Sequence, residues 1–179
     1  MYDEDIKIAG NKPSESIRKN LVAASGETVV SAEETEKAVA FGKKIAEEFC
    51  KATAVYTDAV EEIDENMVVQ RHFLLSFTVT VSFEIYLKSD AVAGIAQKSF
   101  LSEIKANEPE LYKYTSDTGA FSFYYLAHRR GGEIERRMGQ TFAMLCAHDG
   151  DPIYQELGEV LYCWFSSRIK ELAAEFNLI

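Results

Sequence analysis

Phe73-Leu74-Leu75-Ser76-Phe77-Thr78-Val79-Thr80-Val81-Ser82-Phe83-Glu84-Ile85-Tyr86-Leu87 is the stretch on which the fold turns. Every odd position in it is apolar, and Ser76, Thr78, Thr80, Ser82 and Glu84 fall between them. Strict alternation is the period of a half-buried strand, and a strand at about 73–87 would make the fold α+β. Such a strand would be unusually long, however, and no other run in the chain offers it a partner. A central helix buried on all sides is apolar all round, and its small hydroxyls bond back to carbonyls one turn earlier. The stretch therefore predicts a buried helix, and the chain an all-α, irregular multi-helix bundle, with α+β as the alternative.

Upstream, Ser31-Ala32-Glu33-Glu34 has the spacing of a capping box, serine oxygen and glutamate satisfying the free amides of a helix start. From there Ala38, Phe41, Ile45, Phe49, Ala52, Tyr56, Ala59 and Ile63 step by three or four, the period of a helix face. No Gly or Pro interrupts this stripe after Gly42, so one helix of about 33 residues and two shorter ones are both open. Residues 1–30, with Gly10, Pro13 and Gly26, hold no sustained period and predict a partly ordered arm ahead of a single helical domain over 31–179.

Downstream the punctuation is helical throughout. Asp90 can cap a helix carrying Val92, Ile95, Ala96, Phe100, Leu101 and Ile104, and Pro109 sits where a first-turn proline belongs. Ser116 or Asp117 opens an aromatic helix that stops at Gly131-Gly132. Ile134, Met138, Phe142 and Leu145 mark the next, and Asp151-Pro152 starts a last helix through Leu157, Val160, Leu161, Trp164, Phe165, Ile169 and Leu172 to about Phe176. The short link between these two predicts a helical hairpin.

The chain has 179 residues, 47% of them hydrophobic and 27% charged, a globular composition with material for one sizeable core. Its net charge of -10 speaks against nucleic acid and anionic membrane, both of which reward clustered Lys and Arg. No run approaches the roughly 20 apolar residues of a membrane-spanning helix. The acidic opening Met1-Tyr2-Asp3-Glu4-Asp5 is unlike a secretory signal. Cys50, Cys146 and Cys163 are odd in number and widely spaced, so they predict reduced core thiols and a cytoplasmic protein.

Three constellations carry possible chemistry. Glu33-x-x-Glu36, followed after 24 residues by Glu61-x-x-Asp64, resembles the acidic motif of the all-α nucleoside triphosphate pyrophosphohydrolases. That resemblance implies Glu33, Glu36, Glu61 and Asp64 as ligands of magnesium beside the substrate phosphates. A single helix over 32–64 would hold Glu33 and Glu61 roughly 42 Å apart and defeat it. His148-Asp149 is similar to the adjacent pair of the HD-type metal phosphohydrolases, over those two residues alone. That family's further aspartate on a later helix has no counterpart here, since Asp151 is the last aspartate.

The third constellation is His128-Arg129-Arg130-Gly131-Gly132-Glu133-Ile134-Glu135-Arg136-Arg137, next to Tyr124 and Tyr125. Arginine forks grip carboxylate or phosphate bidentately, and a glycine pair lets backbone amides approach an anion. Tyr124, Tyr125, His128, Arg129 and Arg130 are thus the candidate residues of a small anionic-ligand site. The plainer account is a helix ended by Gly-Gly, with Arg to Glu bridges across the turn.

Phosphate loops, dinucleotide glycines, CxxC pairs and nucleophile-base arrangements are all missing, so no cofactor is expected, magnesium entering only under the hydrolase alternative. The leading expectation is a non-enzymatic helical module that binds a protein partner, first of all a second copy of itself as a homodimer. Its motive is the aromatic content, 11 Phe, 9 Tyr and 1 Trp, in a chain without legible chemistry.

Overall fold

The computed structural model describes residues 30–54, 64–116 and 118–179, and among these every regular element is a helix. In chain order they are α1 (Ala32–Ala54), α2 (Glu65–Tyr86), α3 (Asp90–Asn107), α4 (Pro109–Ser116), α5 (Thr118–Arg129), α6 (Ile134–Leu145) and α7 (Pro152–Glu175). The bundle is all-α, and the 73–87 stretch is the body of α2 rather than a strand.

The physical reason lies in the geometry of the alternation. Two residues along an α-helix are about 200° apart, so apolar residues at every second position populate two opposite faces. Leu75, Val79 and Phe83 face one hydrophobic cluster, shared with α1, α3 and the C-terminal half of α7. Leu74, Phe77 and Val81 face a second, shared with α5, α6 and the N-terminal half of α7. The intervening hydroxyls are absorbed locally, Thr78 Oγ1 donating to Leu74 O at 2.8 Å and Thr80 Oγ1 to Ser76 O at 3.3 Å. Ser82 donates to Ser166 at 3.3 Å, and Tyr86 shares a 2.9 Å hydrogen bond with the same serine, tying α2 to α7.

The capping box at Ser31 is formed: Glu34 N donates to Ser31 Oγ and Ser31 N to Glu34 Oε2, each at 3.1 Å. The helix it opens is described through Ala54, and Asp64 is extended and caps α2 by accepting from Asn66 N and Met67 N. Tyr56, Ala59, Glu61 and Ile63 lie outside the described residues, as do residues 1–29 of the proposed arm and Asp117.

Helix α1 runs back along α2. Glu34, near its start, pairs with Lys88 just past the end of α2, while Arg71 Nη2 near the start of α2 donates to Ala52 O at 2.6 Å. Glycines let helices meet backbone to backbone: a methyl on Gly42 of α1 would overlap the Ala96 carbonyl of α3, and one on Gly139 of α6 the Gln155 carbonyl of α7. Gly158 of α7 seats Phe142 of α6, completing the hairpin expected at this end. At α3 the cap is Ser89, whose Oγ accepts from Val92 N at 3.3 Å, not Asp90, which is already helical. Pro109 and the Asp151-Pro152 start stand where the sequence puts them, Asp151 Oδ1 accepting from Ile153 N at 2.8 Å. No described helix is long and apolar enough to cross a membrane.

Candidate functional site

Helix α5 ends on two left-handed residues, Gly131 at φ 63° and Gly132 at φ 73°, a region that side chains other than glycine enter at a cost. The Gly-Gly stop read from the sequence is thus real, and Arg136 bridges Glu133 across the start of α6 at 3.3 Å. The turn also fixes Arg137: its Nη1 donates to Gly131 O, and its guanidinium lies over Gly132.

The five residues assigned to an anionic ligand do not converge. Tyr124 is fully buried, stacked on Phe77 at 5.4 Å, and its phenol, pushed well above the ordinary range by burial, finds no hydrogen-bond partner. It is a core residue. Tyr125 is half-buried edge-on to the same Phe77, its phenol raised by burial and then by Glu84. His128 is half-buried, with Nε2 inside and without a partner. Arg129 and Arg130 are exposed.

Of the five, Arg130 lines a cleft of about 290 Å³. Its other polar walls are Arg137, Gln140 and Thr141 of α6, Asp149 of the α6–α7 turn and Gln155 of α7. Among the described residues neither Arg130 nor Arg137 is in an ion pair, although the chain holds 29 acids against 19 bases. Arg137 stands in the motif quoted above; Gln140, Thr141 and Gln155 carry no sequence signal, because only the crossing at Gly139 brings them together.

The acids of the pyrophosphohydrolase resemblance are not gathered either. Glu33 and Glu36 sit exposed on the first turns of α1, Glu33 bonded at 2.6 Å to Lys37, whose hydrogen bond and charge lower its carboxyl. Asp64 caps the opposite end of the α1–α2 pair, about one 33 Å helix length away. Glu61 lies outside the described residues.

Asp64 has other company. Its Oδ2 accepts from Tyr154 Oη at 3.3 Å and lies 3.7 Å from His148 Nε2. Asn66 beside it donates to Leu145 O at 3.3 Å. His148 and Asp149, the pair similar to the HD motif, thus diverge: the histidine turns to Asp64 and the aspartate to the arginine cleft. Ala147, left-handed at φ 64°, separates α6 from this turn and lets His148 N reach Ala143 O at 2.9 Å. No group of three or more His, Cys, Asp or Glu side chains placed to hold a metal occurs among the described residues.

The aromatic surplus goes largely inward. Phe41, Phe49, Phe77, Phe83, Phe100, Phe121, Phe142 and Phe165 are all buried. Phe123 and Leu126 of α5 stay outside, 48% and 57% exposed, and on α7 Ile153 is 73% exposed, Val160 55% and Trp164 49%. With half-buried Leu157 these α7 residues repeat at steps of four, three and four, the spacing of a coiled-coil seam. The sequence reading named Val160 and Trp164 among the apolar positions of this helix without separating them from its core face; the structure turns both outward. The missed signal was the unbroken apolar belt from Val160 to Phe165, wider than one core face requires.

No protein family, curated protein or solved structure matches the chain. The class its fold defines is an irregular all-α bundle with two hydrophobic clusters among the described residues and an apolar row on the outer face of α7.

Proposed function

We propose that this chain is a helical interaction module that pairs with a second copy of itself through the outer face of α7. The observation that carries the reading is the Ile153, Leu157, Val160 and Trp164 seam, because a contiguous exposed apolar row on a protein of net charge -10 is costly unless covered. Its order is self-complementary. In a two-fold antiparallel pairing Ile153 meets Trp164 of the partner subunit and Leu157 meets Val160 of the partner subunit, as an isologous interface requires.

Two further features support a second copy as the occupant. A groove of about 350 Å³ lined by Ala52, Leu161 and Trp164 lies at one end of the seam and offers a seat for the isoleucine at the other. Charges are also distributed unevenly. Lys51 and Arg168 lie near the Trp164 end, paired with Glu48 and, for Arg168, also with Glu171, while Asp151 and Glu156 are near Ile153 in sequence at the start of α7. Antiparallel pairing would bring Asp151 and Glu156 of one copy toward Lys51 and Arg168 of the other. We place the module in the cytoplasm as part of this reading, which the free cysteines Cys50, Cys146 and Cys163 suit.

Size-exclusion chromatography with light scattering over a dilution series tests the reading. A dimer is expected at micromolar concentration, together with a blue-shifted emission of the single tryptophan, Trp164, as concentration rises. Val160→Glu should give a folded monomer. A wild-type monomer at every concentration, or a dimer indifferent to Val160→Glu, rejects it.

A further inference from the structure

The cleft walled by Arg130, Arg137, Gln140, Thr141, Asp149 and Gln155 shares none of the four seam residues of α7. We infer that it binds a compact carboxylic acid bearing a hydrogen-bond donor beside the carboxylate, an α-amino or α-hydroxy acid. At about 290 Å³ it falls at the lower end of the ~300–1,000 Å³ usual for small-molecule sites, so the ligand is small.

The charge on its walls selects the chemistry. Arg130 and Arg137 supply two guanidinium groups free of carboxylates among the described residues, in a chain with ten more acids than bases. An arginine gains most from a planar carboxylate that takes two parallel hydrogen bonds. Arg137 is preorganised for this, since Gly131 O and the Gly132 turn hold its guanidinium in place, while exposed Arg130 is free to close from the other side.

Asp149 is the one carboxylate in the lining, and it makes a multiply charged phosphate a poor tenant by facing it with like charge. The same carboxylate accepts a hydrogen bond from an ammonium or hydroxyl next to the ligand carboxylate. Gln140, Thr141 and Gln155 offer neutral donors and acceptors around that pair. Met144 and Ala127 form the apolar remainder of the wall, against which a short aliphatic side chain packs.

The test titrates L-valine, L-2-hydroxyisovalerate, isovalerate and inorganic phosphate into the labelled full chain, following backbone amides by heteronuclear NMR. Valine and the hydroxy acid are expected to move the Gln140, Thr141 and Gln155 amides saturably, and isovalerate, which has no donor, to bind at least severalfold more weakly. Arg130→Gln, at an exposed side chain in no ion pair among the described residues, should weaken binding about tenfold with the free spectrum preserved. Asp149→Asn should weaken valine far more than isovalerate. The inference is overturned if no carboxylate binds at about 10 mM, where even a millimolar site is nearly filled. It is equally overturned if phosphate alone binds, if isovalerate matches valine, or if Arg130→Gln changes nothing.

Discussion

The imidazole of His148 lies flat on the phenol ring of Tyr154, 3.8 Å between centroids and 9° between planes, and both rings reach the same Asp64 oxygen. The other oxygen of Asp64 caps α2. One carboxylate therefore holds together the start of α2, the α6–α7 turn and the first turn of α7. Asp64→Ala should cost about 1–2 kcal/mol, the loss of a helix cap plus a partly exposed hydrogen bond. Tyr154→Phe, which removes only the hydroxyl, should cost about 0.5 kcal/mol. Urea unfolding of both variants checks the order, and equal costs would mean that the cap contributes nothing.

Glycine substitutions should divide sharply. Gly94 lies in α3 with nothing within 4 Å of an added methyl, so Gly94→Ala should stabilise by about 0.5–1 kcal/mol through helix propensity. Gly158→Ala has the same propensity gain but puts its methyl 2.5 Å from Phe142 Cβ, and overpacking of that kind costs about 1–3 kcal/mol. Gly42→Ala and Gly139→Ala, which meet backbone carbonyls, should be worse. Thermal melts of the four variants give the comparison directly.

His72 is half-buried against Tyr114, with centroids 4.9 Å apart, and burial followed by the charges of Arg71 and Lys113 holds its imidazole down to about 4. The unfolded chain takes up a proton here near pH 6.5, whereas the folded chain resists until about pH 4. Stability should therefore fall as pH drops from 6.5 to 4 and this contribution should level off below. His72→Phe, which keeps a ring against Tyr114, should flatten that part of the profile in denaturant titrations. An unchanged slope would assign the acid sensitivity elsewhere.

Glu34 carries the same sign at lower pH. Hydrogen bonds from Lys88 and then from Ser31 draw its carboxyl down to about 2. A carboxylate depressed in the folded state contributes stability that is complete above its unfolded value of about 4.5 and is lost as pH falls toward 2. Glu34→Gln should be less stable than wild type at pH 6, and the two should converge near pH 2.

Burial pushes the thiol of Cys50 up to about 11 and that of Cys146 to about 12, and raises Cys163. Since the thiolate is the reactive form, iodoacetamide at pH 8 should label neither Cys50 nor Cys146 quickly in the folded chain, and all three cysteines in urea. Rapid labelling of Cys146 while the fold is intact would contradict its placement at 2% exposure.

The helix boundaries were legible where chemistry marks them: Ser31 with Glu34, Pro109, Gly131-Gly132 and Asp151-Pro152 all do locally what their types dictate. The alternation over 73–87 was legible but ambiguous, because a strand with one buried face and a helix between two clusters yield the same pattern. Length and the lack of a partner strand decided it. The site was less legible. Tyr124 and Tyr125 are neighbours in sequence, yet one helical step of 100° buries the first and leaves the second half open. Nor does a sequence announce that Gly139 brings Gln155 beside Arg137, since that proximity depends on how two helices cross.

Helix α2, walled by both clusters, has a consequence for the order in which this chain comes apart. With Leu75, Val79 and Phe83 committed to one side and Leu74, Phe77 and Val81 to the other, neither half can open without stripping a flank from the middle helix. Helix α7 is shared in the same way, so the molecule has no seam along which half of it melts while the other half stands. Amide protons of α2 should therefore fall in the slowest class in native-state hydrogen exchange, released only when the whole bundle unfolds.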